Sequence, residues 1–258
     1  MILDLHVHTN FSEDFDIGLE DVIRKARDMG LSGIMLTECD VVPDLEEVRA
    51  ISERLGFPVF VGLEVNADDG RVLAVVPDPA DPRFADQPWL SKEDLSISDV
   101  VEIMEELGGV AIAAHPYLDD GPFLGDRVFK TQGLTAIEVV CGVPGHLPND
   151  LALEAAASLQ LPTVGGSDSG PEGQRIGSYG TAFAETIRSQ EHLVNALRSR
   201  SYWACTLRRP RRDGDRSGGR GHGGGRGNGN GHGHGNGGGR GGGGGGGQRG
   251  GRGGFGGR

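Results

Sequence analysis

The chain has 258 residues, a formal net charge of −12 and 36% hydrophobic residues. Its three cysteines are too few and too scattered for a disulfide framework, which excludes a small disulfide-stabilised secreted domain. No apolar run approaches the length of a transmembrane helix, and no secretory signal precedes the first apolar run. We therefore expect a cytoplasmic protein with no membrane partner.

The composition changes near Leu207 and divides the chain into a body, residues 1–207, and a tail, residues 208–258. The tail holds 28 of the 47 glycines, 11 of the 25 Lys+Arg and only 2 of the 37 Asp+Glu. The formal charge is therefore −21 for the body, with 14 basic and 35 acidic residues, and +9 for the tail. A body of about 200 residues suffices for one domain with a sizeable core. The tail lacks the apolar content for a core and is predicted to be disordered.

Short apolar runs and amphipathic segments alternate along the body. Strands are predicted at 1–7, 33–37, 58–63, 72–76, 110–114, 135–140 and 162–166, with a weaker eighth run at 181–184. Helices are predicted at about 19–29, 44–55, 98–107, 149–160 and 190–199. This alternation is typical of βα units around a parallel sheet, either closed as a barrel or open and doubly wound. In both folds the functional residues are expected at the carboxyl ends of the strands.

The opening run from Ile2 to Thr9 reads as a buried strand that ends in two histidines, His6 and His8. Residues i and i+2 of a strand point to the same side, so both imidazoles can aim at one point. Because neutral imidazoles are common metal ligands, the pair supplies half of a metal site. The alternative is a pair of hydrogen-bonded histidines at a strand end.

Residues that metals favour follow further predicted strands. They are Glu38, Cys39 and Asp40 after the second strand, Glu64 after the third, His115 after the fifth and Asp168 after the seventh. Each alone could be a surface carboxylate, a core histidine or a helix cap. Their joint placement favours a metal site, because charged side chains beside a core are costly unless they are paired or metal-bound.

Six short motifs follow one another in a fixed order along the body. They are Asp4-Leu5-His6-Val7-His8-Thr9, Ser12-Glu13-Asp14, Leu36-Thr37-Glu38-Cys39-Asp40, Gly62-Leu63-Glu64, Ala114-His115-Pro116 and Gly166-Ser167-Asp168. In this order they resemble the polymerase and histidinol phosphatase (PHP) family. The resemblance implies a distorted, TIM-like (β/α)7 barrel that binds two or three divalent metals at its carboxyl face. Members of that family are mostly phosphoesterases.

The resemblance also implies particular metal ligands. Asp14 matches a variable family ligand six residues past the second histidine, and Glu13 is the alternative one place earlier. The other matching positions are His6, His8, Glu64, His115 and Asp168. We therefore expect one to three divalent ions per chain, with zinc, manganese and iron as the candidates.

Three positions depart from the family pattern. Cys39 stands where the second motif usually has a histidine, although a thiolate can also bind zinc. Arg71 follows Gly70 where a histidine is common, and its positive charge suits a substrate phosphate instead. Gly170 replaces the final histidine of the last motif and supplies no side chain. The sequence therefore predicts one full metal site and one weakened site.

The expected chemistry is hydrolysis by a metal-activated water. We predict that Glu64, Asp168 and His115 are the catalytic residues, with Glu64 as the carboxylate that bridges two ions. Arg71 and Arg175 are the candidate contacts to the substrate phosphate, although Arg175 could equally be a solvated loop residue.

Three functions fit these patterns. The first is metal-dependent hydrolysis of a small phosphomonoester or nucleotide. The second is a nuclease whose tail supplies affinity for RNA or DNA, because glycine with arginine resembles RGG segments that bind RNA. The third is a non-catalytic protein of the same fold with eroded metal sites. Apart from the nuclease, the tail could be a solubilising extension or an intramolecular partner for the acidic body.

Overall fold

A computed structural model of the chain describes residues 1–119, 121–142 and 146–207. Within these residues nine strands form one sheet in the order β7-β6-β5-β4-β3-β2-β1-β8-β9. The strands are β1 (Ile2–Val7), β2 (Gly33–Cys39), β3 (Val59–Ala67), β4 (Gly70–Val75), β5 (Val110–Ala113), β6 (Ala136–Val140), β7 (Thr163–Gly165), β8 (Tyr179–Phe183) and β9 (Tyr202–Thr206). The tail, and with it the prediction that residues 208–258 are disordered, lies outside the described residues.

The two ends of this sheet curve back toward each other. The amide of Gly165 on β7 donates to Oγ1 of Thr181 on β8 at 2.9 Å. The amide of Ala204 on β9 donates to Oγ1 of Thr163 on β7 at 3.3 Å. These bonds join strands from opposite ends of the sheet order, so the sheet is a nearly closed α/β barrel. The barrel prediction is confirmed, and the open doubly wound alternative is wrong.

The strand directions are mixed, which corrects the expectation of a parallel sheet. The pairs β1–β2, β2–β3, β5–β6 and β6–β7 are parallel. The strands β3 and β4 instead form an antiparallel hairpin, because only Asp68 and Asp69 separate them and a parallel connection needs a long crossover. The strand β4 also pairs antiparallel with β5, and β8 pairs antiparallel with both β1 and β9.

All five predicted helices are present, with ends that differ by at most two residues. The described α-helices are α1 (Leu19–Asp28), α2 (Leu45–Leu55), the short α3 (Pro82–Ala85), α4 (Ile97–Glu106), α5 (Leu147–Leu159) and α6 (Gln190–Ser199). Local signals set several of these ends. The Asp44 side chain caps α2 by accepting from two backbone amides, and Ser96 and Asp99 form a capping box at α4. None of these described helices is long and apolar enough to cross a membrane.

A register shift in β1 decides which side of that strand faces the barrel interior. Leu3 and Leu5 are buried in one cluster with Met35 of β2 and with residues of α6. Between Asp4 and Val7 the pairing with β2 slips by one residue, as it does at a β-bulge. Val7 therefore packs in a different cluster, together with residues of α1. The side chains that alternate with Val7 turn inward at the carboxyl end of the strand.

Candidate metal centre

Five ionisable side chains from β1, β3 and β6 and from the segments that follow β1 and β5 meet in a buried cluster. They come from residues far apart in the chain, and each is at most 6% exposed: His6, His8, Glu64, His115 and Glu138. Burying so many ionisable groups is costly unless they pair with one another or bind a cation. The cluster is therefore the candidate functional site.

The two histidines of β1 face one glutamate of β3. Nε2 of His6 lies 3.0 Å from Nε2 of His8. The same two atoms lie 3.5 Å and 3.4 Å from Oε1 and Oε2 of Glu64, respectively. His6, His8 and Glu64 each offer one ligand atom, and these three atoms all lie within 4.8 Å of one another. Glu64 lies inside β3 rather than after it, because the strand continues into the hairpin with β4.

His115 joins Glu64 from the end of β5. Its Nε2 lies 3.1 Å from Oε1 of Glu64, the oxygen that also faces His6. The backbone of His115 has φ +24°, and that of Asp168 has φ +43°. Non-glycine residues rarely adopt positive φ, and such strained residues cluster at functional sites. The surrounding structure therefore keeps the backbone of these two expected ligands in an unfavourable conformation.

Glu138 of β6 belongs to the cluster, although we did not predict it from the sequence. Nδ1 of His6 lies 3.1 Å from both of its carboxylate oxygens, and the amide of His115 donates to Oε2 at 3.0 Å. These three residues form a second group of possible ligands. The sequence signal was present: Glu138 is the one charged residue of the buried strand Ala136–Val140. A lone charge in such a strand is rare unless it has a partner.

Asp168 lies at the edge of the cluster with an arginine beside it. Its Oδ1 is 3.9 Å from Nε2 of His8 and 3.2 Å from the Arg175 guanidinium. Arg175 Nε also donates to the backbone carbonyl of Asp168 at 2.8 Å. The arginine predicted to contact substrate thus lies beside a predicted ligand, where it borders the site.

Cys39 at the end of β2 is also next to the cluster. Its Sγ is 3.7 Å from Nδ1 of His8 and 3.5 Å from Oε2 of Glu64. Burial and the charge of Glu64 raise the pKa of the Cys39 thiol. A cation beside the sulfur would counteract that effect, since metal binding favours the thiolate.

The remaining positions singled out from the sequence are Asp14, Arg71 and Gly170. Asp14 and its alternative Glu13 are exposed, and neither belongs to the two ligand groups found among the described residues. Arg71 on β4 donates from Nε to Asn66 Oδ1 at 3.0 Å, in line with a rim position. Gly170 has φ +73°, and an added Cβ would lie 3.0 Å from the Gln174 side chain. A histidine there would require a local rearrangement.

Two further buried carboxylates support the site from outside. Asp4 accepts from the Ser167 amide at 2.8 Å, and burial raises its pKa to about 6. Glu38 accepts from the amide and hydroxyl of Thr9 at 2.9 and 2.5 Å and from the hydroxyl of Ser12. Both acids hold loops that border the cluster, so their burial is explained by hydrogen bonds within the protein.

The charges inside the cluster are strongly coupled. Burial opposes the charged form of His6, but Glu138 and Glu64 outweigh it and raise the pKa of this imidazole. Burial alone would raise the pKa of Glu64, yet His6 and His115 hold it well below its usual value. His8 has its pKa lowered to about 3, chiefly by burial. Glu64 is therefore an anion and His8 a neutral imidazole, which are the forms that bind metal.

This donor set fits a divalent cation. Imidazole nitrogens, carboxylate oxygens and a neighbouring sulfur are the ligands that zinc and related transition metals prefer. Two imidazole Nε2 atoms and both oxygens of one carboxylate converge on a small region. The fold and the site together define an α/β barrel with a candidate metal centre.

Two segments of the body match known family models in sequence. Residues 4–105 match the PHP domain family, and residues 146–202 match the PHP-associated family. The chain therefore carries a PHP domain followed by a PHP-associated segment. The family expected from the motifs is thereby confirmed, as is the assignment to the hydrolases.

Two relatives match parts of the chain in sequence. An uncharacterized protein of Methanocaldococcus jannaschii is 26% identical over 149 residues, which is 54% of this chain and 81% of that protein. The phosphoribosyl 1,2-cyclic phosphate 1,2-diphosphodiesterase of Eggerthella lenta is 39% identical over 69 residues. That match covers 27% of this chain and 26% of the enzyme.

Solved structures share the fold at low sequence identity. A protein of Bifidobacterium adolescentis that is assigned as a metal-dependent phosphoesterase has a TM-score of 0.57 at 18% identity. The match covers 77% of this chain and 96% of that protein. The lesion-specific endonuclease Q of Pyrococcus furiosus has a TM-score of 0.60 at 15% identity, over 79% of this chain and 57% of the endonuclease. At these identities the likeness supports the barrel fold alone.

Proposed function

We propose that this chain hydrolyses a small phosphate ester with the help of one to three divalent ions. One observation carries the proposal: Nε2 of His6 and Nε2 of His8 each face a different oxygen of Glu64. Together with His115, Asp168 and Cys39, these residues would hold the ions. Zinc, manganese and iron are the candidates, because each accepts nitrogen and oxygen ligands.

The residues of the chain divide the remaining work. When bound, divalent ions acidify a water molecule and neutralise charge on the phosphoryl oxygens. Glu64 is the proposed bridging carboxylate, since its two oxygens face histidines from β1 and β5. Asp168 is proposed to complete the ligand set from the edge of the cluster. Arg175 beside it and Arg71 at the rim are proposed to hold the substrate phosphate.

A small substrate is favoured over a nucleic acid by the charge of the body. Its formal charge of −21 opposes the approach of a polyanion. A relative that acts on a phosphoribosyl cyclic phosphate points in the same direction, since its matched segment is similar at 39% identity. A nuclease is the second candidate, because the barrel is shared with an endonuclease and the tail carries eleven arginines.

The test is a comparison of substrates and metals on the full-length protein. Metal-free protein is loaded with Zn²⁺, Mn²⁺ or Fe²⁺, and the bound metal is counted by elemental analysis. Turnover is then measured with a nitrophenyl phosphomonoester, a bis-nitrophenyl phosphodiester, nucleotides and single-stranded RNA. Metal-dependent turnover of a small ester supports the proposal, and turnover of RNA alone supports the nuclease. Less than a tenth of an equivalent of metal would contradict both and favour the non-catalytic alternative.

A further inference from the structure

Glu138 touches two histidines of the candidate metal centre from the side opposite to Glu64. Both of its oxygens lie 3.1 Å from Nδ1 of His6, and Oε2 accepts from the amide of His115 at 3.0 Å. The residue is 1% exposed. Thr9 and Ser12 satisfy another buried glutamate, Glu38, whereas the hydrogen bonds of Glu138 go to two expected metal ligands.

We propose that Glu138 is a positioning residue that orients the His6 imidazole and the His115 backbone so that both Nε2 atoms face Glu64. The inference rests on the proposed function, because the orientation matters only if these nitrogens bind an ion. Glu138 itself contacts neither substrate nor reacting atoms in this assignment.

The contact with His6 fixes its tautomer. A carboxylate that accepts from Nδ1–H places the proton on that nitrogen and leaves the Nε2 lone pair for a metal. Nε2 of His6 points toward His8 and Glu64, at 3.0 and 3.5 Å. The two nitrogens of an imidazole face different directions. Glu138 on the Nδ1 side is therefore placed behind His6 rather than beside the ion that His6 would share with Glu64.

The hydrogen bond from the His115 amide to Glu138 stabilises a backbone conformation that is otherwise unfavourable. His115 has φ +24°, and its amide has Glu138 as its hydrogen-bond acceptor. Nε2 of the same residue reaches Oε1 of Glu64 at 3.1 Å. Without the acceptor, the His115 backbone would be free to relax toward a common conformation and carry its imidazole away from Glu64.

The experiment measures Co²⁺ binding to the full-length chain with the variants Glu138→Gln, Glu138→Asp and Glu46→Gln. Affinity is obtained by competition with a chromophoric chelator, coordination from the visible Co²⁺ spectrum, and folding of the metal-free protein from its thermal unfolding. Glu138→Gln should bind Co²⁺ about 10- to 100-fold more weakly, with an altered spectrum and an unchanged number of bound ions. Glu138→Asp keeps the charge at shorter reach and should fall between Gln and wild type.

Glu46→Gln is the control, because it makes the same substitution at an exposed glutamate on α2 that lies outside the site. It should keep both the thermal stability and the Co²⁺ affinity of the wild type. Wild-type protein that binds no Co²⁺ would contradict the proposed function itself. If wild type binds, unchanged affinity and spectrum in Glu138→Gln would overturn the positioning role, and loss of one whole ion would show a direct ligand instead. Should Glu138→Gln fail to fold, wild-type affinity and spectrum in Glu138→Asp would overturn the role.

Discussion

At the scale of single residues, the site depends on one glutamate that is shared by three histidines. Glu64 lies within 3.5 Å of the imidazoles of His6, His8 and His115. Its buried charge is balanced by these neighbours, which keeps its pKa well below the usual value. A substitution that removes the charge of Glu64 but keeps its shape is therefore expected to disturb the site.

Glu64→Gln is expected to lower phosphoester hydrolysis at least on the order of 100-fold, because a neutral amide is a poor metal ligand and cannot bridge two ions. Turnover, bound metal and thermal unfolding should be measured together. Glu46→Gln, an exposed glutamate on α2, is the control and should behave like wild type. A Glu64→Gln variant with near wild-type turnover and metal content would show that Glu64 has no role at the centre.

Cys39→His is expected to raise metal occupancy or to shift the preference among metals. Sγ of Cys39 lies 3.7 Å from Nδ1 of His8, and an imidazole at this position matches the family pattern. Gly170 still leaves the set without one usual histidine, so we expect tuning rather than a new full site. Elemental analysis after loading with equal Zn²⁺ and Mn²⁺ gives the result. Unchanged stoichiometry and activity would place residue 39 outside the working site.

At the scale of the elements, the site needs β1 and the segment after β7 to approach closely. Gly166 makes this possible, since an added Cβ would lie 2.3 Å from Cβ of His6 and 2.6 Å from its backbone nitrogen. The amide of Asp168 then donates to the carbonyl of His6 at 2.8 Å. Two expected ligands are thus tied together through the backbone.

Gly166→Ala is expected to destabilise the fold by about 1–3 kcal/mol, because overpacking forces the backbone of β1 to move. Metal affinity should fall with it, since His6 carries the clash. Gly18→Ala is the matched control: Gly18 has nothing within 4 Å of an added Cβ and has φ −73°. Chemical denaturation and Co²⁺ titration of both variants provide the comparison. Equal stability of the two variants would mean that β1 and the segment after β7 lie farther apart than described.

At the scale of the whole molecule, charge separates the chain into two parts of opposite sign. The body carries −21 and the tail +9, with eleven arginines and 28 glycines in the tail. Every candidate ligand lies in the body. The division into a catalytic body and a separate tail stays a prediction, and it can be tested by removing one part.

Deletion of residues 208–258 is expected to abolish RNA binding and to spare hydrolysis of a small ester. RNA affinity of the full chain should fall steeply with salt and depend little on sequence, because it would rest on counterion release. Binding is measured by fluorescence anisotropy across a salt series, and turnover on the same preparations. RNA binding by the truncated chain at low salt would refute the tail as the binding element. Loss of small-ester turnover would place part of the active site in the tail.

The sequence by itself determined the barrel class, the positions of five helices and most of the strands, and the histidines and carboxylates that follow them. It could do so because these features depend on local patterns, such as apolar periodicity, capping residues and short motifs. The β3–β4 hairpin and the short strand β9 were missed. The tight turn between β3 and β4 and the partly exposed edge strand β9 each leave only a weak pattern in the local sequence.

Only the tertiary structure decided how these residues meet. Glu138 and His6 are 132 positions apart, and nothing near either residue in sequence specifies their contact. The register shift in β1 and the close approach at Gly166 likewise arise from packing between distant strands. Tertiary packing also leaves Asp14 exposed while it places the half-buried Cys39 beside His8. The sequence names candidate ligands because their chemistry is local, whereas their geometry is a property of the closed barrel.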